Sequence, residues 1–198
     1  AMAKQYPWNN YETESYIVPA CHGTNTTIGE KICETGFASL SSLDAGYFGK
    51  GIYFTTYSMY CTPYIAAKKA PMIIVSWLLP GNVYPVIEKV DGPDSLLGAA
   101  IKTGFNSHFV VTDRAGKCVE RGSELFNEII VSQESQIVPA FLVSISKKSL
   151  KQSLKKWNRS VPAQSESRRT QLLGREDDPA DASYSRVTLD DPSADITF

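Results

Sequence analysis

The sequence predicts an α+β domain built mainly from antiparallel strands, and three observations predict it. Six short apolar runs read as strands against three short helical stretches, no strand–helix–strand rhythm links them, and a 198-residue chain that is 42% hydrophobic suits a single core. A doubly wound parallel sheet is disfavoured by the absence of that rhythm.

In chain order, Thr27-x-x-Glu30 reads as a capping box, Ile28 and Ile32 follow at helical spacing, and Gly36 stands where a left-handed cap belongs. A helix over 28–35 is expected. Thr62-Pro63 reads as an N-cap followed by the first helical residue, opening a helix through Ile65, Ala66, Ala67 and Lys68 with Tyr64 in its first turn. The strand-like runs are 52–54, 72–79, 83–87, 108–112, 126–132 and 137–144, divided by Pro80-Gly81-Asn82 and Arg114-Ala115-Gly116. Lysines 147, 148, 151, 155 and 156 mark a helix with Leu150 and Leu154 on its other side, a solvated basic face rather than a nucleic-acid patch. From Asn158 to Phe198, 8 acidic and 5 basic residues lie among Ser, Pro and Ala without apolar periodicity, so this stretch reads as a tail or linker. The expected organisation is an N-terminal extension at 1–13, opened by an Ala1-Met2-Ala3 lead-in, a domain over 14–157 and a tail over 158–198.

The net charge of −1 gives no bulk attraction to nucleic acid or an anionic membrane. The longest apolar run, Met72 to Leu79, is far short of the roughly 20 residues that a membrane helix needs. Cys21, Cys33, Cys61 and Cys118 form no CxxC pair, which points to reduced thiols and not to zinc or disulfides.

Three motifs can carry chemistry. Cys21-His22-Gly23-Thr24 places a histidine beside a glycine that would let a ligand approach the backbone; the plain alternative is a histidine that hydrogen-bonds a loop. Gly49-Lys50-Gly51-Ile52-Tyr53-Phe54 feeds a strand and is followed by Tyr57, Tyr60 and Tyr64, either a stacking wall or the cover of a core edge. Phe126-Asn127-Glu128-Ile129-Ile130-Val131 puts a carboxylate in an apolar strand. Glu is depleted in strands, so Glu128 either meets solvent or serves a task; alternation groups it with Phe126 and Ile130, away from Ile129 and Val131, and turns its carboxylate toward a cleft. Trp8 and Trp77 read as packing residues, His108 as a structural histidine, and Asp44 and Lys50 as loop charges.

Together these motifs resemble the catalytic domain of the poly(ADP-ribose) polymerase family, the diphtheria-toxin-like ADP-ribosyltransferases with a His, Tyr, Glu signature. His22-Gly23-Thr24 is similar to the His-Gly-Ser/Thr motif, Gly49 to Phe54 to the Gly-x-Gly-Ile-Tyr-Phe strand, Tyr64 to the second stacking tyrosine, and Asn127-Glu128 to the glutamate motif. The resemblance spans about residues 14–146. It implies two packed, mainly antiparallel sheets with short flanking helices around an NAD cleft, and an enzyme that moves ADP-ribose from NAD to a protein acceptor and releases nicotinamide. In that scheme Glu128 supports the cation at the ribose, His22 holds the adenosine-side ribose, the Gly23 backbone clasps the carboxamide, Tyr53 and Tyr64 sandwich the nicotinamide, and Thr24 and Cys61 complete the NAD-binding residues. NAD is a substrate and no metal is called for.

Two departures bear on activity. Cys61 stands where the family has a serine, a weaker hydrogen-bonding group. Tyr60 replaces a lysine found in polymer-forming members and points toward single transfers. An NAD glycohydrolase and a silent NAD- or ADP-ribose-binding module are the other readings. The expected partner is a protein acceptor, for instance a regulator such as ubiquitin, with no membrane or nucleic acid; the expected setting is cytosol or nucleus, or a host cytosol for a bacterial effector.

Overall fold

In a computed structural model of the chain, residues 16–37, 46–119 and 126–159 are described. They contain strands β1 (Val18–Asn25), β2 (Ile52–Phe54), β3 (Pro71–Leu78), β4 (Val83–Pro85), β5 (Ser107–Thr112), β6 (Phe126–Val131) and β7 (Ile137–Ser144). Helices α1 (Thr26–Thr35), α2 (Thr62–Ile65) and α3 (Lys147–Arg159) flank them, with 3-10 turns at Ser58–Cys61 and Glu134–Gln136. One sheet runs β1-β3-β7 and the other β2-β6-β5-β4. All pairings are antiparallel except β4 with β5, so the α+β class with two mostly antiparallel sheets holds.

The core is the interface between the sheets. Val18, Ala20, Ile74, Leu78 and Ile137 of the first pack with Ile52, Phe54, Phe109, Ile129 and Val131 of the second, and Ile32 of α1 and Phe37 close one end. The second sheet buries its other face too, where Val110 and Ile130 meet Phe48, Val86 and Leu96 from the connecting loops. Strand β6 is therefore buried along its whole length, which explains its nearly unbroken apolar run.

Expectation and structure part at several points. Strand β1 was not expected: Val18-Pro-Ala-Cys-His-Gly-Thr-Asn25 has weak strand preference and is extended because it pairs along its length with the Ile- and Val-rich β3. Asn25, not Thr27, caps α1, its side-chain oxygen accepting from Ile28 N at 2.9 Å, so the helix begins at Thr26. Gly36 caps the far end with φ +86° but an extended ψ, its N–H donating to Ile32 O. Helix α2 is one turn only, with Thr62 inside it and a 3-10 turn before it, instead of a helix to Lys68. The basic helix exists as α3, with Lys148, Lys151, Lys155 and Lys156 exposed. The expected extension at 1–13 with Trp8, Asp44 and almost all of the tail lie outside the described residues. Among the described residues no helix is long and apolar enough to cross a membrane.

Candidate active site

The edge of β1 supplies the first part of the site. Cys21 makes both of its outward backbone bonds to Thr55, N to O at 2.7 Å and O to N at 3.0 Å, which joins the two sheets just past β2. Strand geometry repeats every two residues, so the N–H and C=O of Gly23 point the same way as those of Cys21, away from β3. They form a donor and acceptor pair at the strand edge, the complement of a carboxamide. A side chain here would be crowded: a Cβ on Gly23 would lie 3.0 Å from Ile65 Cγ2 and 3.3 Å from Cys61 Cβ. Glycine thus lets α2 and the 3-10 turn close against the strand.

His22 faces the other way, toward the sheet interface. Its ring lies edge-on to Phe37 at 5.4 Å and tilted to Phe54 at 5.6 Å, and Nδ1 is 2.9 Å from Tyr53 O. A carbonyl only accepts, so Nδ1 carries the hydrogen, and Nε2 of the neutral ring bears a lone pair. Burial lowers the His22 pKa, opposed by the bond to Tyr53 O, which keeps this tautomer at neutral pH. The ring is therefore an acceptor for a hydroxyl.

The Gly49-Lys50-Gly51 loop is fixed to β2 and its neighbours. Gly49 has φ +109°, and a Cβ on Gly51 would meet Val131 O at 2.6 Å, so both glycines answer to geometry. The Tyr53 hydroxyl accepts from Phe48 N at 3.0 Å and donates to Gly49 O at 2.7 Å. His108, fully buried on β5, donates from Nδ1 to Phe48 O at 2.7 Å and accepts at Nε2 from Lys102 N at 2.9 Å. Both its nitrogens are used in clamping loops together, so it is structural.

Tyr53 pairs with Ile130 and Ile130 with His108, while Val110 pairs with Glu128. Register thus places Tyr53, Ile130, His108, Val110, Glu128 and Phe126 on one face of the second sheet. Glu128 is only 7% exposed. Its Oε1 accepts a 2.6 Å hydrogen bond from the Tyr60 hydroxyl, the short kind made to a charged oxygen. Burial and the neighbouring Glu128 push the Tyr60 pKa well up, so the phenol stays a donor at any physiological pH. The Tyr60 ring is stacked on Phe126, with centroids 5.3 Å apart at 23°, and edge-on to Trp157 at 6.0 Å. Asn127, also buried, donates to Thr56 Oγ1 at 2.7 Å and accepts from Thr56 N at 3.0 Å, anchoring the segment that leads to Tyr60 and Tyr64.

Tyr64 is 41% exposed and lies 6.0 Å from the Tyr60 ring, a tilted aromatic surface on α2. Thr24 is buried, on the same side of β1 as His22. Cys61 is buried in an apolar cluster with Ile65 and Ile73, behind Gly23, and burial with help from Cys21 raises its thiol pKa far above neutrality. It is no thiolate nucleophile.

His22 is joined to β2 through the backbone Tyr53 O, with its ring against Phe37 and Phe54 in the sheet interface, while Tyr53 and Glu128 share the opposite face of the second sheet on adjacent strands. The sequence reading gave no role in holding Glu128 to Tyr60, Phe126, Arg114 or Trp157. The available signal was aromatic density near Tyr57 to Tyr64 together with one tryptophan near an expected domain end. No model of a known protein family matches the sequence, and no curated protein matches it. Among the described residues, no group of three or more His, Cys, Asp or Glu side chains could hold a metal ion.

Proposed function

We propose that this chain transfers single ADP-ribose units from NAD to a protein acceptor, releasing nicotinamide. The observation that carries the reading is the buried carboxylate of Glu128, held by Tyr60 on the sheet face it shares with Tyr53; Gly23 and His22 lie on β1, which Cys21 joins to Thr55 just past β2. The resemblance of the sequence motifs to those of His-Tyr-Glu ADP-ribosyltransferases supplies the substrate class.

In this mechanism the glycosidic bond between the ribose C1′ and the nicotinamide nitrogen breaks heterolytically. Its electron pair neutralises the pyridinium, and an oxocarbenium-like cation remains at C1′. The Glu128 carboxylate stabilises that cation, all the more in a site where water is scarce. An acceptor nucleophile then bonds to C1′ and gives up its proton. Gly23 N–H and C=O hold the carboxamide, neutral His22 accepts from a ribose hydroxyl through Nε2, and Tyr53 and Tyr64 cover the ring of the leaving group.

Cys61 favours a second reading, a module that binds NAD without turning it over. Its buried thiol stands where the family that the sequence resembles has a serine, and a thiol would make the weaker carboxamide contact. Incubation with NAD and a eukaryotic lysate, followed by intact-mass analysis, separates the readings. The transferase yields proteins carrying single ADP-ribose units, absent with Glu128→Ala. Saturable NAD binding without labelled protein or released nicotinamide gives the binding module, and nicotinamide release without labelling gives a glycohydrolase.

A further inference from the structure

The carboxylate of Glu128 is held by groups outside its own strand. Tyr60 belongs to the 3-10 turn before α2, and its ring packs in a triangle with Phe126 of β6 at 5.3 Å and Trp157 of α3 at 6.0 Å, those two being 5.5 Å apart. Trp157 is 3% exposed and is itself tied down: Arg114 Nη1 donates to Trp157 O at 2.9 Å, and the guanidinium sits 5.1 Å from the Trp157 ring and 5.7 Å from that of Phe126. Leu150, one turn into α3, adds a second anchor beside the Cys61, Ile65 and Ile73 cluster.

Resting on the function proposed above, we propose that Tyr60 and Trp157 are positioning residues for Glu128, and that α3 thereby belongs to the working site. A glutamate side chain turns about three bonds, and a tyrosine about two, so a phenol packed against two rings is the stiffer member of the pair. The direction of the carboxylate is set by where Tyr60 stands, and Trp157 sets that. Removing the indole leaves a void beside the phenol, the ring tips into it, and the 2.6 Å bond is loosened. Phe126 stacks on the phenol ring and touches the indole as well, and Arg114 latches the end of α3.

The test combines kinetics with a readout that needs no turnover. Tyr60→Phe keeps the stack and loses only the hydroxyl; it is expected to lower kcat about tenfold with KM within about twofold, because the carboxylate acts in the transition state. Trp157→Ala should give a similar loss, Trp157→Phe should restore most of the rate, and the double variant Tyr60→Phe/Trp157→Ala should be no worse than either single change, since both act through one bond. In 13C-labelled protein, the Glu128 carboxyl carbon resonance should move in Tyr60→Phe, move likewise in Trp157→Ala, and stay in place in Trp157→Phe. Losses that multiply in the double variant, or a Glu128 resonance unmoved by Tyr60→Phe or by Trp157→Ala, would overturn the proposal. Wild-type protein that binds NAD but releases no nicotinamide would defeat the transferase reading instead, and the resonances would still decide whether Tyr60 and Trp157 hold the carboxylate.

Discussion

Placing a methyl group on Gly23 tests the joint between β1 and α2 directly. The new Cβ in Gly23→Ala would stand 3.0 Å from Ile65 Cγ2 and 3.3 Å from Cys61 Cβ. Carbon atoms pack best at about 3.5 to 4.0 Å, so α2 and the 3-10 turn must yield by several tenths of an ångström. Overpacking of this kind costs about 1–3 kcal/mol, and the stiffer alanine returns about 0.4–1 kcal/mol through the unfolded chain. A net loss of about 1 kcal/mol is expected, a fall in Tm of about 2–4 °C for a chain of this size. The loss in NAD affinity should be larger than the loss in stability suggests, because the displaced segment carries Tyr64 and, on the proposed function, the Gly23 edge beside it holds the carboxamide. Differential scanning fluorimetry and calorimetric titration with NAD measure the two effects. Unchanged Tm together with unchanged affinity would show that the close approach at Gly23 matters to neither fold nor site.

Two further outcomes follow from the site. Burial lowers the pKa of both His22 and His108 below the ordinary histidine value; their stabilising contribution is complete above about pH 6.5 and declines as pH falls through that value toward the folded-state pKa values. NMR titration should therefore show both imidazoles protonating below pH 6.5 and Tm dropping in the same interval, and an imidazole titrating above it would contradict the burial argument. Cys61→Ser should tighten NAD binding by roughly two- to tenfold, the worth of one ordinary hydrogen bond, while lowering the Tm of the protein without NAD because the hydroxyl enters an apolar cluster; weaker NAD binding would remove Cys61 from the carboxamide site.

What the sequence made legible was periodic and local. Alternation alone put Glu128 on the face of Phe126 and Ile130, and the apolar runs marked β2, β3, β5, β6 and β7 to within a residue or so at either end. Strand β1 stayed hidden because its extended form depends on β3, and Pro19 and Gly23 mask whatever local preference it has. The cap at Asn25 was missed because Thr27 and Glu30 offered an equally good local pattern two residues later, and the packing that chooses between them is not local. The support for Glu128 was the least legible feature. Residues 60, 114, 126 and 157 meet only when β6, the 3-10 turn and α3 come together, and no spacing rule links positions so far apart in the chain. Glu128 was also expected to open to a cleft, and it is nearly buried under Tyr60 instead.

The central claim is that the Glu128 carboxylate promotes cleavage of the bond between ribose and nicotinamide. Glu128→Gln keeps the shape of the side chain and its capacity to accept from Tyr60, but removes the charge. Under single-turnover conditions with saturating NAD, nicotinamide release would be followed for wild type and Glu128→Gln while calorimetry records NAD binding to each. The account predicts that both proteins bind NAD with similar affinity, that wild type releases nicotinamide, and that the variant releases it at least about a hundredfold more slowly, in keeping with the loss of a group that stabilises developing charge. Equal release by the two proteins, or no release by wild type, would contradict it.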